Sequence, residues 1–382
     1  MRTALEVVFW ASAGLLLYAQ AGYGLLLAAI AAVRRPAPLA GATDAAPAPE
    51  VSVIVAAYRE ADVIGAKVAN LRALDHPAGA LEIVVACDGS DDGTPRLARE
   101  AGADVVLELP RGGKVRAQDA AVDAARPRNG ILAFSDANAL WERDALRELL
   151  APFADPGVGY VCGQVRFTGE GGTNQEGLYW RYEMWLRSLE SRLASVTAGN
   201  GAIYATRRDA YVRVDPVMGH DLSFPFNIVK RGLRAVYAPA ARASERMVPT
   251  VEGELARKRR MMSHAWPIVL RGGMLSPRGY PPLYALMIAS HRLLRYATPF
   301  LHLVALAASI ALVATGAGAL YVVALALQAA LLAAAALGGV LRLRPLLVAR
   351  YYVLTTASLA AGLWDWLRHG TPAGWEPPPG TR

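Results

Sequence analysis

A cytosolic-type α/β domain built from parallel βαβ units, set between apolar helices long enough to cross a membrane, is the fold class this sequence predicts. Three observations predict it. From Val51 to about Met274, short β-branched runs alternate with stretches of helical spacing, the pattern of βαβ units. Leu5–Val33 and two stretches after Pro299 run almost without charge over the roughly 20 residues that a spanning helix needs. The chain as a whole is 54% hydrophobic and 19% charged, which is too apolar for a soluble protein of ordinary composition.

The elements follow in order. Leu5–Val33 is interrupted only by Glu6 and Gln20. A signal peptide has an apolar region of only about 7–15 residues, so residues 1–35 read as a retained anchor. Arg34 and Arg35 follow it, and positive flanks stay cytosolic. The anchor is therefore expected to keep its amino end outside. Residues 36–49 form a Pro/Ala linker without periodicity. Residues 50–278 carry the α/β pattern. Val51–Ala56 and Leu81–Ala86 are continuous apolar runs, as in strands buried on both faces. Asp104–Leu107 and Ile131–Phe134 are further strands. Helical spacing is predicted over Ala61–Leu74, Asp92–Ala101 and Gly113–Ala125.

Residues 279–367 return to membrane texture. Tyr280–Tyr296 places His291, Arg292 and Arg295 beside apolar residues, which predicts an interfacial helix. Pro299–Leu320 and Tyr321–Leu341 are spans turned at Gly316 and Gly318, and Arg342 and Arg344 bring the chain back to the cytosol. Leu346–Leu367 reads either as a third span or as an interfacial helix, since Arg350 lies inside it and Trp364 and Trp366 stand at its end. The tail, 368–382, is expected inside. The expected location is the inner cell membrane, multi-pass, with the α/β domain cytosolic.

The net charge of +8 fits nucleic acid, anionic lipid or a polyphosphate ligand. No zinc-finger, helix-turn-helix or RNA-binding signature is present, so no nucleic-acid partner is expected. Cys87 and Cys162 lie in apolar runs without metal-ligand spacing and read as small core residues. The six histidines show no paired ligand spacing.

Ligands of parallel α/β sheets sit beyond the carboxyl ends of the strands. The first strand is followed by Tyr58-Arg59-Glu60, the second by Asp88-Gly89-Ser90-Asp91-Asp92-Gly93, and the fourth by Ser135-Asp136-Ala137-Asn138. Asp91, Asp92 and Gly93 suit a turn or helix cap. Asp88 and Asp136 directly follow buried runs and suit ligand contact better. Asp136 and Asn138, two apart in an extended segment, point the same way, and Mg²⁺ or Mn²⁺ binds diphosphate through one or two such groups. Arg111-Gly112-Gly113-Lys114 opens a helix, where glycines before a basic residue cradle phosphate. The Walker A spacing fails, and no GxGxxG follows the first strand, which argues against a dinucleotide enzyme.

In order along the chain, these residues resemble the family 2 glycosyltransferases, inverting enzymes with the GT-A fold, a Rossmann-like mixed sheet that binds nucleotide-diphospho-sugars. Val51–Glu60 is similar to that family's first strand and nucleotide-contacting turn. Glu82–Thr94 is similar to its second strand with the uridine-contacting Asp. Gly113-Lys114 matches the basic residue of its next helix. Phe134–Asn138 stands at its metal motif. Gly199–Arg208 resembles its acceptor-side loop and following strand. His220-Asp221 resembles its catalytic acidic position, and Glu254–Arg260 the helix of its last motif. The resemblance covers about residues 50–275.

The resemblance implies nucleotide-sugar contacts from Ala56, Tyr58, Glu60, Asp88, Lys114, Asp136 and Arg257, a metal held by Asp136 and Asn138, and acceptor contacts from Gly199, Asn200 and Gly201. It implies Asp221 as general base, with Arg260 also catalytic. A plain N-cap is the other reading of Asp221, and a solvated basic face near anionic lipid is the other reading of Arg257 and Arg260. The donor implied is a UDP-sugar, with a GDP-sugar as the alternative, the acceptor lipid-linked or a saccharide at the bilayer, and the cofactor Mg²⁺ or Mn²⁺. Two departures stand out. Asn138 replaces the second metal-motif carboxylate. Arg257–Met261 has Met where processive members carry a sugar-stacking Trp, which favours transfer of one or a few sugars over a processive polysaccharide synthase. A catalytically silent membrane scaffold is the third reading.

Overall fold

The computed structural model describes residues 1–34, 49–126, 130–168, 174–246, 251–341 and 343–374, without the side chains of 174–179, 251, 252 and 254. Arg35, positions 36–48 of the linker, Arg342 and positions 375–382 of the tail lie outside the described residues. Packing divides the chain into two compact units. One comprises Ala31–Glu254, Pro267–Ala285 and Thr371–Arg382, the other Met1–Ile30, Leu255–Trp266 and Leu286–Gly370.

The first unit is built on one sheet. Its strands are β1 (Val51–Ala57), β2 (Leu81–Asp88), β3 (Val105–Leu109), β4 (Ile131–Asp136), β5 (Leu140–Trp141), β6 (Val158–Thr168), β7 (Tyr204–Arg207) and β8 (Arg234–Arg246). Their spatial order is β3-β2-β1-β4-β7-β6-β8-β5. β1 pairs in parallel with β2 and β4, and β2 with β3. β7 runs antiparallel to both β4 and β6, so the sheet is mixed. Side chains of successive strand residues face opposite ways, and the core divides accordingly. Val51, Val53, Val55, Ile83 and Val85 enter one cluster. Ile54, Val84, Ala86, Leu132 and Phe134 enter the other. Helices Ala61–Arg72 and Lys114–Ala124 bury their apolar stripes against this sheet. Cys87 and Cys162 are free and buried, and burial pushes their thiols up to about 12 and about 11.

The predicted Asp92–Ala101 helix starts two residues later, at Thr94. Gly93 has φ +85°, a left-handed conformation that cannot continue a helix of L-residues. The Asp92 carboxylate accepts from the Thr94 hydroxyl at 2.5 Å and from Ala61 N at 3.0 Å, so it closes the turn from outside.

The second unit holds most of the long apolar helices. Four helices, Arg2–Val33, Pro282–Ala314, Ala319–Leu337 and Arg344–His369, are long and apolar enough to cross a membrane. Phe9, Ala308, Leu312, Ala317 and Tyr321 form a small internal cluster. Outward, Leu17, Leu25, Leu303, Ile310, Val322 and Leu327 are exposed. Apolar surface on that scale needs a lipid or protein partner. The expected break between an interfacial helix ending at Tyr296 and a span starting at Pro299 is absent, because one helix runs through both. Proline removes the hydrogen bond to the carbonyl four residues back, here that of Arg295. The Thr298 hydroxyl donates to that carbonyl at 2.7 Å instead, so the helix continues. The helix also widens by one residue per turn at Ile288–Leu293, as does the first at Tyr18–Gly22. Tyr18 Oη and Ser290 Oγ join the two wide turns at 2.9 Å.

At the amino edge of the sheet, buried Glu82 accepts from Ser52 Oγ at 2.5 Å and Arg126 N at 2.9 Å, with the Arg126 guanidinium 3.3 Å away. Removing one partner of a buried polar network leaves the others unpaired, at a cost of about 3 kcal/mol. Glu82→Ala is expected to lower unfolding stability by that amount in a denaturant titration, and a loss below about 1 kcal/mol would show that the network is solvated.

Candidate active site

The sheet places its acidic residues by register. Ala56 on β1 lies opposite Asp136 on β4, and Ala57 lies opposite Cys87, one residue before Asp88. The strand order reverses between β1 and β4, so their carboxyl ends flank a crevice. Ala56, Ala57, Tyr58, Glu60, Asp88, Arg111, Lys114, Asp136, Ala137 and Asn138 line it. Within the first unit the structure thus brings together Ala56, Tyr58, Glu60, Asp88, Lys114 and Asp136, all expected on the nucleotide side; Arg257 belongs to the second unit.

Asp88 is buried and fully engaged. Its carboxylate accepts from Gly112 N at 2.6 Å, from Gly113 N at 2.9 Å and from Arg111 Nη1 at 2.6 Å. The Arg111 guanidinium lies 3.3 Å from the Tyr58 ring centre, within range of a cation–π contact. The turn before this residue is tight. Arg59 has φ +52°, and its guanidinium grips Asp91 through two bonds of 2.8 Å. A non-glycine residue held in that region marks local strain.

Asp136 pairs with Lys114. Burial by itself lowers the Lys114 ammonium, but Asp136, and beyond it Asp221 and Glu245, hold it above the ordinary lysine value. Lys114 thus feels the carboxylates of both β4 and the His220–Lys230 helix. Asp221 stands in the first turn of that helix. Among the described residues its carboxylate has no hydrogen-bond or ion-pair partner, while its backbone carbonyl accepts from Gly199 N at 2.7 Å.

The Gly199–Gly201 loop links the two sides. A Cβ at Gly201 would stand 3.1 Å from Lys114 Nζ and 3.3 Å from an Asp136 oxygen. A Cβ at Gly199 would overlap the Tyr160 hydroxyl. Gly199 needs glycine because the buried Tyr160 ring stands against its backbone, while a side chain at Gly201 would crowd Lys114 and Asp136. Asn200 turns inward: Nδ2 donates to Gly163 O at 2.8 Å, and Oδ1 accepts from Ile203 N at 2.9 Å. Its side chain shapes the loop. Arg257 and Arg260 lie on the Val251–Leu270 helix, in the segment Leu255–Trp266 that packs within the second unit. Arg257 Nη1 lies 3.3 Å from the Met261 sulfur.

A family model described as glycosyltransferase-like family 2 matches residues 47–263, more than half of the chain. The chain belongs to that family. As a family 2 glycosyltransferase it is also similar, over nearly its full length, to a solved structure, mannosyltransferase PcManGT from Pyrobaculum calidifontis in complex with GDP-Man and Mn²⁺. That pair is 26% identical with a TM-score of 0.76, covering 95% of this chain and 99% of the other. The GT-A fold expected from sequence is therefore the fold observed. Among curated relatives, glycosyltransferase AglE of Haloferax volcanii is 26% identical over 46% of this chain and 58% of its own. A dolichyl-phosphate hexose transferase of the same organism is 35% identical over 20% of this chain and 33% of its own. The chain thus spans less than two thirds of the length of the curated relatives it matches.

Three residues of this glycosyltransferase site were not singled out by sequence reasoning. Arg111 was read only as part of a phosphate-cradling turn. Lys67 and Asn70, on the Ala61–Arg72 helix, hold the segment just after Asp136–Asn138. Lys67 Nζ donates to Ala139 O at 2.6 Å and lies 5.0 Å from the Trp141 ring centre. Asn70 makes two bonds of 2.8 Å to the Trp141 backbone. A lysine one position before Val68 on the buried stripe was the available signal.

Lys67 is fully buried, and burial lowers its pKa to about 7. Between that value and the ordinary lysine pKa, the unfolded chain holds a proton that the folded protein lacks. Stability contributed by this group therefore rises with pH across the window. In metal-free protein, the wild type is expected to gain unfolding stability relative to Lys67→Met from pH 7 to pH 10. Parallel pH profiles of the two melting temperatures would refute the assignment.

Proposed function

We propose that this glycosyltransferase moves one hexose, with inversion, from a nucleoside diphosphate sugar to a lipid-linked or saccharide acceptor at the membrane surface. One observation carries this reading. Lys114 pairs with one carboxylate, Asp136, and feels the charge of a second, unengaged one, Asp221. The engaged groups suit the donor, and the open carboxylate suits a base.

In this reading the donor's base and ribose lie along Tyr58 and Asp88, and its diphosphate lies by Lys114. Asp221 takes the proton of the acceptor hydroxyl as that oxygen bonds to the anomeric carbon and the bond to the diphosphate breaks. Lys114 offers positive charge where the leaving group gains negative charge. Gly201, which faces Lys114 and Asp136 without a side chain, leaves room there for the sugar.

The donor set fits a divalent cation. Among the described residues no three-residue carboxylate, histidine or cysteine cluster exists. Asp136 and Asn138 therefore offer one carboxylate and one amide. That set suits Mg²⁺ or Mn²⁺ bound jointly with phosphate oxygens and water. Such an ion would neutralise the leaving diphosphate. Likeness to a GDP-Man and Mn²⁺ complex supports GDP-mannose with Mn²⁺ as the first donor to test, followed by the UDP-hexoses expected from sequence. Met261, exposed and without a flat aromatic face, supports non-processive transfer.

Membrane topology follows from parity. The chain leaves the first unit at Ala285 and rejoins it at Thr371. A Cβ on Gly113, in the nucleotide crevice, would overlap the Ala373 carbonyl. The tail thus shares a compartment with the catalytic domain, which requires an even number of crossings between. Of the three helices between, Arg344–His369 is the most polar. Asp365 takes two bonds of 2.5 and 2.6 Å from Arg259, and Tyr351 accepts from Lys258 at 2.5 Å. It suits the bilayer surface, with Pro282–Ala314 and Ala319–Leu337 as the crossings.

Two tests apply. In membranes supplied with GDP-mannose or UDP-hexoses and Mn²⁺, Asp221→Asn is expected to lose at least about 100-fold in transfer while still binding GDP and Mn²⁺; Asp136→Ala and chelation by EDTA are expected to lose donor binding as well. Wild-type turnover by Asp221→Asn would exclude it as the base. For topology, Pro372→Cys is expected to react with an impermeant maleimide from the same face as Arg96→Cys in the catalytic domain, against low background from buried Cys87 and Cys162. Labelling from opposite faces would overturn the parity assignment.

A further inference from the structure

His220 precedes the base, and the mechanism above does not use it. It is the first residue of the His220–Lys230 helix and is buried. Its ring stacks on Phe224 at 4.2 Å and meets Phe134 edge-on at 5.8 Å. Nδ1 lies 2.8 Å from the Tyr204 hydroxyl, which accepts in turn from Gln118 Nε2 at 3.2 Å. With Gln118 donating, the Tyr204 proton goes to Nδ1, so the ring proton sits on Nε2. Burial, and secondarily the charge on Lys114, lowers the imidazole pKa to about 3, so the ring is neutral and keeps this tautomer.

Nε2 has no hydrogen-bond partner among the described residues. A buried unpaired N–H is costly, and a phenylalanine or leucine would fill the same aromatic box without that cost. The cost points to a use for Nδ1. Gln118 sits one turn beyond Lys114 on the donor-side helix, and His220 sits beside Asp221. Neighbouring residues on a helix point about 100° apart. Fixing the His220 ring inward therefore fixes the direction of the Asp221 carboxylate, whose charge Lys114 feels.

We infer that the buried chain Gln118–Tyr204–His220 locks the helix end that carries Asp221 into register with the donor-side helix, which makes Tyr204 and His220 positioning residues for the base. The inference rests on Asp221 being that base. The chain is neutral, so it transmits position and not charge. The Asp221 backbone is held from the other side by Gly199 N, so losing the chain frees one side of the helix end only.

The test uses the full-length protein in nanodiscs, with GDP-mannose and Mn²⁺, or the active UDP-hexose. Tyr204→Phe and His220→Leu are each expected to lower kcat about tenfold, the scale of one neutral hydrogen bond, with KM for the donor within about twofold. The double variant is expected to lose no more than either single one, because both break the same chain. His220→Asn keeps an acceptor oxygen near the Nδ1 position and is expected to restore kcat to within about threefold of wild type. Without any ligand, hydrogen exchange at the backbone of 219–224 is expected to quicken in Tyr204→Phe and to return to the wild-type rate in His220→Asn. Additive losses in kcat, or unchanged exchange in Tyr204→Phe, overturn the inference. Full turnover by Asp221→Asn removes the base assignment and this inference with it, and it is read separately from the relay variants.

Discussion

The reversal of strand order beside β1 is the constraint on which the site depends. The chain winds from β1 through β2 to β3 on one side, then returns to lay β4 on the other. The loops leaving β1 and β4 depart in opposite directions, and a crevice opens between them. The four strands are largely apolar along their length, so acidic groups are tolerated only where fixed partners, water or a ligand meet them. Asp88 and Asp136 occupy those ends, one on each side of the last residues of β1.

The carboxylates in and near the crevice differ in what they touch, and the difference suggests different tasks. Asp88 is saturated by two backbone N–H groups and an arginine, so it is rigid and its charge is offset. Asp136 shares Lys114, a partner that a diphosphate can take over. Asp221 keeps a carboxylate without a partner among the described residues, held only through its backbone. Lys67 and Asn70 brace the chain just after Asp136 from behind. Charged side chains here are held by fixed neighbours before any ligand arrives, which is the condition for electrostatic stabilisation without reorganisation.

Helices long and apolar enough to cross a membrane keep their backbone hydrogen bonds within themselves. Pro299 is the instructive exception, since the carbonyl it orphans is taken by the Thr298 hydroxyl. The wide turns at Tyr18–Gly22 and Ile288–Leu293 meet through a side-chain hydrogen bond, so two irregular stretches support each other. The charged Arg344–His369 helix keeps its carboxylate on Arg259, and the chain beyond it returns to the nucleotide loop.

The sequence by itself determined the first four strands, the apolar helices, the family and the acidic residues at three strand ends, but not the strands Leu140–Trp141, Val158–Thr168 and Arg234–Arg246. Those signals are local: β-branched runs, uncharged length, and polar residues directly after buried ones. It could not show that Arg111 lies over Tyr58, that Lys67 reaches Ala139 just after Asp136–Asn138, or that Tyr204 ties His220 to Gln118, because these partners are 16 to 86 positions apart and obey no period. Nor could it carry the helix through Pro299, since the rescue depends on which hydroxyl faces the orphaned carbonyl. It named Asn200 for the acceptor side, whereas the folded loop turns that amide inward. Only the tertiary structure decided which polar groups are already satisfied and which carboxylate remains open, because that depends on contacts between distant segments and not on residue type.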